Sequence, residues 1–165
     1  MNKAVFFDRD GVINHDPGDY TYLLEEFTIN DGIIPSLKKL YDNGFQLFII
    51  TNQGGIGKGI YTQQHVEAIH KYLIEKLRES DIELTEIYYC PHHSDVEKCL
   101  CRKPGSLLIE KAIARFNIDP KKSFMIGDKS RDVEASENAG IKGIRVELNS
   151  NIENIVDQII SDKWQ

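Results

Sequence analysis

Two aspartates separated by one residue follow the first apolar run of the chain, in the segment Ala4-Val5-Phe6-Phe7-Asp8-Arg9-Asp10-Gly11. A run of β-branched and aromatic residues of this length is typical of a short buried strand. Because side chains alternate along an extended chain, Asp8 and Asp10 lie on the same side of the backbone. Two carboxylates this close repel each other unless a cation lies between them or one is protonated. The pair therefore predicts a hard divalent metal, a carboxylate nucleophile and a nearby acid or base.

Polar groups also follow three further predicted strands. Thr51 ends the second strand, Lys103 lies in the segment after the third, and Asp128 follows the fourth. In an open parallel sheet, ligands bind at the C-terminal ends of the strands. Each residue alone has a plainer explanation, since Asp-x-Asp is common in solvated loops, Lys103 could be a surface lysine and Asp128 a helix cap. Together the four strand ends favour one shared site.

The three cysteines of the chain, Cys90, Cys99 and Cys101, lie within twelve residues of one another. An odd number of clustered cysteines in a chain of this kind indicates metal ligation rather than a disulfide framework. With one histidine, either His92 or His93 by spacing alone, they supply the four ligands of a closed tetrahedral Zn²⁺ site. Thiolates disfavour Mg²⁺, so we expect two metals in different places. The zinc would be structural and would staple the loop that carries the basic residues after it.

The elements that must position these residues alternate between strand and helix along the whole chain. Strands are predicted at 4–7, 45–50, 86–89, 123–126 and 143–147, and helices at about 34–43, 62–79, 106–117, 131–138 and 152–160. Strict alternation predicts an α/β fold with a single doubly wound, Rossmann-like parallel sheet and helices on both faces. We expect one domain spanning residues 1–165, with connections too short for a cap domain.

Composition and charge narrow the class of protein. With 165 residues, 41% hydrophobic and 28% charged, the chain can form one globular domain with a substantial core. A net charge of −6 argues against non-specific nucleic-acid binding. The sequence has no apolar run of membrane-spanning length and no signal pattern. We therefore expect a cytoplasmic protein, a monomer, that acts on a small molecule and binds neither nucleic acid nor membrane.

Several short blocks of the sequence resemble one known family. They are Asp8-Arg9-Asp10-Gly11-Val12-Ile13-Asn14, Thr51-Asn52-Gln53, Tyr89-Cys90-Pro91-His92-His93, Cys101-Arg102-Lys103-Pro104 and Gly127-Asp128-Lys129. Their order and spacing resemble the motifs of the haloacid dehalogenase superfamily of phosphatases. Within it they are similar to the D-glycero-D-manno-heptose 1,7-bisphosphate 7-phosphatases and the related histidinol-phosphate phosphatase domains.

The resemblance implies a catalytic role for each motif. Asp8 would attack phosphorus to form an aspartyl-phosphate, and Asp10 would act as general acid and then as general base. Catalytic Mg²⁺ would bind the carboxylates of Asp8 and Asp128 and the main-chain carbonyl of Asp10. Thr51 and Lys103 would hold the phosphoryl oxygens of the substrate.

The resemblance also implies supporting and substrate-binding residues. Four further positions that match substrate contacts of the family are Asp16, Asn52, Arg102 and Lys129. Arg102 suits bidentate binding of a second, non-reacting phosphate. Asp132 would position Lys103 or a metal-bound water. His92 rather than His93 would be the zinc ligand.

These roles predict a Mg²⁺-dependent phosphomonoester hydrolase. The leading substrate is the C7 phosphate of heptose bisphosphate, with histidinol phosphate as the alternative because the same motifs serve both. A polynucleotide 3′-phosphatase is disfavoured by the acidic net charge. A non-catalytic, zinc-stapled module that binds sugar phosphates is the alternative from another class. It is disfavoured because such a module has no need of the Asp8 nucleophile.

Overall fold

The computed structural model, which describes residues 1–161 and 163, contains one five-stranded parallel sheet. Its strands are β1 (Ala4–Phe7), β2 (Gln46–Asn52), β3 (Glu86–Cys90), β4 (Phe124–Gly127) and β5 (Lys142–Arg145). Their order in the sheet is β3-β2-β1-β4-β5, and every pairing is parallel. This arrangement confirms the predicted parallel sheet, with strand limits that differ from the predicted ones by one or two residues.

Within the described part of the chain, five α-helices connect or follow the strands. They are α1 (Ile33–Asp42), α2 (Gln63–Arg78), α3 (Leu107–Phe116), α4 (Ser130–Asn138) and α5 (Glu153–Ile160). The N-cap predicted for α2 is confirmed, because the Thr62 hydroxyl accepts the His65 main-chain N–H and His65 Nδ1 accepts that of Thr62. Two short 3₁₀ turns, Leu24–Glu26 and Pro120–Lys122, were not predicted.

The strand β1 is buried on both faces because its side chains alternate between two cores. Val5 and Phe7 belong to one apolar cluster, and Ala4 and Phe6 belong to the other. Helices α1, α2 and α5 cover the first cluster, and α3 and α4 cover the second. The fold is therefore doubly wound, as predicted.

The register of the sheet decides where the site lies. Phe7, the last residue of β1, pairs with Ile49 of β2 and with Ile126 of β4, and both neighbours continue beyond it. The next residue, Asp8, continues this alignment, and its main-chain N–H donates to the Ile126 carbonyl at 3.0 Å. Thr51 and Asp128 follow Ile49 and Ile126 by two residues, so the C-terminal ends of three strands meet at one edge.

Two connections are long: residues 8–32 join β1 to α1, and residues 91–106 join β3 to α3. Among the described residues they hold only 3₁₀ turns and isolated bridges, so this part of the chain contains no cap domain. None of the helices within 1–161 and 163 has the length and apolar character needed to cross a bilayer. The predicted domain limit at residue 165 lies outside the described residues.

Candidate active site

Asp8, the first residue after β1, is only 5% exposed. Its Oδ1 accepts two hydrogen bonds, from the Arg9 main-chain N–H at 2.9 Å and from Lys103 Nζ at 2.8 Å. Burial raises the pKa of the Asp8 carboxyl to about 6, although the Lys103 charge acts in the opposite direction, and Asp132 and Asp10 add to the rise. A further cation at this position would favour the ionised, nucleophilic form of Asp8.

Lys103 is 2% exposed and lies between two carboxylates. Its Nζ contacts Asp8 Oδ1 and lies 2.7 Å from Asp132 Oδ1, and it donates to the Ile50 carbonyl at 2.7 Å. Burial lowers the pKa of Lys103, but the charges of Asp8 and Asp132 outweigh burial and leave the pKa raised. Lys103 is therefore a permanent cation at the strand ends, in contact with Asp132 as the resemblance implies.

Asp128 carries the feature that best fits a metal ion. Its Oδ1 is buried and has no hydrogen-bond partner among the described residues, whereas Oδ2 lies 3.3 Å from Lys129 Nζ. Carboxylate oxygens of Asp8, Asp128 and Asp132 lie within 4.8 Å of one another. The oxygens of Asp132 already serve Lys103 and the Lys129 main-chain N–H. Asp8 and Asp128 are thus the carboxylates that fit a divalent cation, and their role as Mg²⁺ ligands stays a prediction.

Both carboxylate oxygens of Asp10 are held by neighbours. Oδ1 accepts from Arg9 Nη2 at 2.9 Å and from Asn14 Nδ2 at 3.0 Å, and Oδ2 accepts from Gln53 Nε2 at 2.9 Å. Burial raises the pKa of Asp10, but the Arg9 charge and these hydrogen bonds outweigh burial, so the pKa lies below its ordinary value. Asp10 is therefore a carboxylate of fixed orientation at the cavity wall.

Arg9 is fully buried, although sequence analysis gave it no role. Besides Asp10 it contacts the Thr21 carbonyl at 3.0 Å and His70 Nε2 at 3.4 Å. Because arginine is always protonated, His70 must accept through an unprotonated nitrogen. Burial, followed by the Arg9 charge, lowers the pKa of His70 to about 3. The sequence carried a signal for the contact between Arg9 and His70. Arg9 lies between two acidic residues at the end of a buried strand, and a buried charge needs a hydrogen-bonding partner.

A cavity of about 550 Å³ opens beside these groups. The residues around it that bear on function are Asp10, Asp16, Asn52, Gln53, Tyr61, Arg102, Asp128, Lys129 and Arg131. Asp8, Thr51 and Lys103 are buried and lie outside this lining, at 5%, 1% and 2% exposure. The structure thus brings every residue of the predicted catalytic and substrate-binding set to one region, while their individual roles stay predictions.

The cavity wall carries three cationic side chains. Lys129 Nζ lies 3.5 Å from Asp16 Oδ2, and Arg102 Nη1 donates to the His92 carbonyl at 3.2 Å. Arg131, which sequence analysis missed, has a buried Nε without a hydrogen-bond partner among the described residues. Guanidinium groups bind phosphate strongly, so this wall can hold an anionic group apart from the one at Asp8.

The predicted zinc ligands form one cluster. Cys90 Sγ lies 3.7 Å from Cys99 Sγ and 3.0 Å from Cys101 Sγ, and His92 Nδ1 lies 3.2 Å from Cys101 Sγ. Tetrahedral Zn²⁺ spaces its ligand atoms roughly 3.5–3.8 Å apart, which the Cys90–Cys99 separation matches, and both separations from Cys101 Sγ are shorter. His93 instead lines the cavity, and its Nδ1 accepts the Asp95 N–H. The donor set fits zinc, with His92 as the histidine.

The loop that carries the cluster also positions the active site. The Asn52 side chain accepts the Lys103 main-chain N–H at 2.9 Å and donates to the Lys103 carbonyl at 3.1 Å. Gly54 packs against the same loop, where a Cβ would lie 2.9 Å from Arg102 Nη1 and 3.0 Å from the His92 carbonyl. Asn52, predicted to bind substrate, therefore also fixes the backbone of Lys103.

Comparison with known proteins decides the family. The chain is 41% identical over 147 residues to D-glycero-beta-D-manno-heptose-1,7-bisphosphate 7-phosphatase of Haemophilus influenzae, which covers 86% of this chain and 79% of that protein. The enzyme of the same name from Helicobacter pylori is 44% identical over 142 residues, or 86% of this chain and 81% of that protein. The chain belongs to the D-glycero-D-manno-heptose-1,7-bisphosphate 7-phosphatase family.

Two further comparisons concern part of the sequence and the fold of this heptose-bisphosphate phosphatase family member. A HAD-hydrolase-like family model matches residues 100–153. D,D-heptose 1,7-bisphosphate phosphatase from B. bronchiseptica, solved with magnesium and phosphate, shares the fold with a TM-score of 0.90 at 23% identity. That similarity covers 97% of this chain and 99% of that one. The fold, the family and the enzyme class predicted from the sequence are thereby confirmed.

Proposed function

We propose that this protein is a Mg²⁺-dependent phosphatase that removes the C7 phosphate of D-glycero-D-manno-heptose 1,7-bisphosphate. One observation carries the proposal: the buried Asp8–Lys103–Asp132 ion pairs lie beside an Asp128 oxygen that has no partner among the described residues. Burying these charges costs desolvation free energy, so the cluster is better explained by a catalytic role than by simple binding. The curated relatives named above carry the same activity in their names.

The proposed reaction proceeds in two displacements. Asp8 attacks phosphorus as the bond from phosphorus to the sugar oxygen breaks, and Asp10 gives its proton to the departing oxygen. Water then attacks phosphorus and loses a proton to Asp10, which releases phosphate and restores Asp8. A phosphate dianion bound beside Asp10 raises its pKa, which favours the protonated form needed first.

The remaining residues bind and stabilise the negative charge of the phosphoryl group. Lys103 and the Thr51 hydroxyl bind phosphoryl oxygens and stabilise the charge that spreads over them in the transition state. Mg²⁺, when held by Asp8, Asp128 and the Asp10 carbonyl, neutralises negative charge on the nucleophile and on the phosphoryl group. Asp132 keeps Lys103 in place through its 2.7 Å contact.

The three cationic side chains on the cavity wall favour a bisphosphate substrate over a monophosphate. Arg102, Lys129 and Arg131 line the same cavity as Asp10 and Asp128. A sugar that carries its reacting phosphate at Asp8 would present its second phosphate to these side chains. Histidinol phosphate lacks a second phosphate and leaves this wall unused. Relatives of the chain are named for either heptose anomer, β in Haemophilus influenzae and α in Campylobacter jejuni, so both anomers belong in the test.

We further propose that zinc is structural, because its four ligands leave no open position for substrate. It would hold the segment that ends in Arg102 and Lys103. We also propose that the protein is a cytoplasmic monomer, as the sequence leads us to expect. Light scattering of the purified protein tests the oligomeric state.

A substrate panel tests the proposed function. With Mg²⁺ present, kcat/KM for at least one heptose bisphosphate anomer should exceed that for histidinol phosphate, with phosphate released from C7. Asp8→Asn, which keeps the size of the side chain and removes the nucleophile, should abolish turnover. A higher kcat/KM for histidinol phosphate would reassign the substrate. If the wild-type protein turned over no phosphate ester, the proposed enzymatic function would be refuted.

A further inference from the structure

Gln53 joins two groups that the proposed mechanism uses separately. Its Nε2 donates to Asp10 Oδ2 at 2.9 Å and to Thr51 Oγ1 at 2.9 Å. Its Oε1 accepts the Tyr61 hydroxyl at 2.7 Å. The side chain is 2% exposed and borders the cavity. One amide thus spans the acid/base and the phosphoryl-binding hydroxyl.

The orientation of this amide follows from its partners. The carboxylate of Asp10 can only accept a hydrogen bond, so it requires the NH₂ group of Gln53. The Tyr61 hydroxyl already has the carbonyl oxygen as its acceptor. Reversing the amide would set two acceptors against each other at Asp10. The hydrogen-bond network therefore fixes which end of Gln53 meets Asp10.

Among the described residues, Gln53 is the side chain that donates a hydrogen bond to Asp10 Oδ2. Arg9 and Asn14 both bind Oδ1, and the hydrogen bond to Oδ2 comes from Gln53. A carboxylate held through one oxygen can still turn about its terminal bond, because that torsion is broad. Held through both oxygens, Asp10 keeps the plane in which its proton must reach the leaving group.

We propose that Gln53 is a positioning residue for proton transfer to the leaving group, which it serves by fixing Asp10 relative to Thr51. This inference rests on the proposed function, in which Asp10 is the acid. As the bond from phosphorus to the leaving oxygen breaks, the Asp10 O–H proton passes to that oxygen. The Gln53 N–H then stabilises the carboxylate that remains.

Leaving-group dependence separates this role from a structural one. An alkyl phosphate expels an alkoxide and needs the proton, whereas p-nitrophenyl phosphate expels a stable phenolate and does not. The ratio kcat/KM is the quantity to compare, since it covers the steps up to phosphoryl transfer and excludes hydrolysis of the intermediate. The variants are Gln53→Met and Gln53→Leu, which remove the donor without adding a charge beside Asp10. Gln63→Met makes the same change at an exposed position of α2, away from the site, as a control.

For both Gln53 variants, kcat/KM should fall about 100-fold with the alkyl phosphate and less than about 3-fold with p-nitrophenyl phosphate. The Gln63→Met control should change neither value. Equal losses on both substrates, or no loss on either, would overturn the role proposed for Gln53. A wild-type protein that hydrolyses neither ester would instead refute the proposed function. Circular dichroism of each variant establishes that it is folded before its kinetics are compared.

Discussion

Arg131 shows how a single side chain can favour one substrate over another. Its Nε is buried at the cavity without a hydrogen-bond partner in the described part of the chain. A donor buried in this way costs free energy until an acceptor arrives. A second phosphate on the substrate is an acceptor of the right charge. The unsatisfied Nε–H of Arg131 therefore favours a substrate with two phosphates.

We predict that Arg131→Met lowers kcat/KM for heptose bisphosphate by about 10- to 100-fold, the cost of a lost charged hydrogen bond. For p-nitrophenyl phosphate, which has one phosphate, kcat/KM should stay within about 3-fold of the wild-type value on the same grounds. Steady-state kinetics on both esters measure this difference. Arg115→Met is the control, since Arg115 pairs with Glu86 on the surface. A loss of the same size on both esters would contradict a role in binding the second phosphate.

His70 links stability to pH through its contact with Arg9. Its pKa is lowered to about 3 in the folded protein, whereas an unfolded histidine titrates near 6.5. Between these values the unfolded chain binds the extra proton, so the free energy of unfolding must decrease as the pH falls. Above the unfolded pKa the contribution is constant.

Replacing His70 with glutamine should remove this pH dependence while keeping an acceptor for Arg9. Between pH 7 and 5 the wild-type protein should lose about 2 kcal/mol more unfolding free energy than His70→Gln. Urea unfolding at the two pH values measures both losses, and other titrating groups cancel in the comparison. Equal losses in the two proteins would show that His70 takes up its proton in the folded state.

At the scale of elements, two loops hold each other beside the strand ends. Asn52 at the end of β2 binds the backbone of Lys103, and the Gly57 N–H donates to the Pro91 carbonyl at 2.9 Å. Of the predicted zinc ligands, Cys90 is the last residue of β3, and the other three lie in the loop between β3 and Lys103. Zinc is therefore expected to act on catalysis through the backbone of Lys103.

Elemental analysis should find about one zinc per chain, as four ligands for one ion require. Cys99→Ser should lower the thermal midpoint of unfolding by about 5 °C or more. It should also lower kcat/KM about 10-fold, because it loosens the loop that carries Lys103. Leu100→Ser introduces the same side chain at a neighbouring residue that is 79% exposed, and should change neither value. A zinc-free protein with full activity and an unchanged midpoint would contradict the structural role.

The elements were predictable to within a few residues because their signals are local. The alternation of strands and helices predicted the parallel sheet, and Thr62 predicted the start of α2. The residues that contact Asp10 were not predictable in the same way. Arg9 and Gln53 reach it through side-chain hydrogen bonds, and Tyr61 reaches Gln53 from the far end of the same loop. Such pairings depend on the three-dimensional arrangement, which spacing along the chain does not specify.

At the scale of the whole molecule, a net charge of −6 coexists with a site built for anions. The basic groups of the site lie at one sheet edge, where Lys103 is buried and Arg102, Lys129 and Arg131 border one cavity. This local group suits a small anionic substrate better than a polyanion, which would need an extended basic surface. The absence of a cap among the described residues leaves loops to enclose that substrate.

The central claim is that Asp8 takes the phosphoryl group from the substrate. Acid-quenching the protein during turnover of heptose bisphosphate with Mg²⁺, followed by peptide mass spectrometry, tests it directly. A phosphoryl adduct should be found on Asp8 of the wild-type protein and should be absent from Asp8→Asn. A phosphoryl adduct on another residue, or undiminished turnover by Asp8→Asn, would contradict the claim.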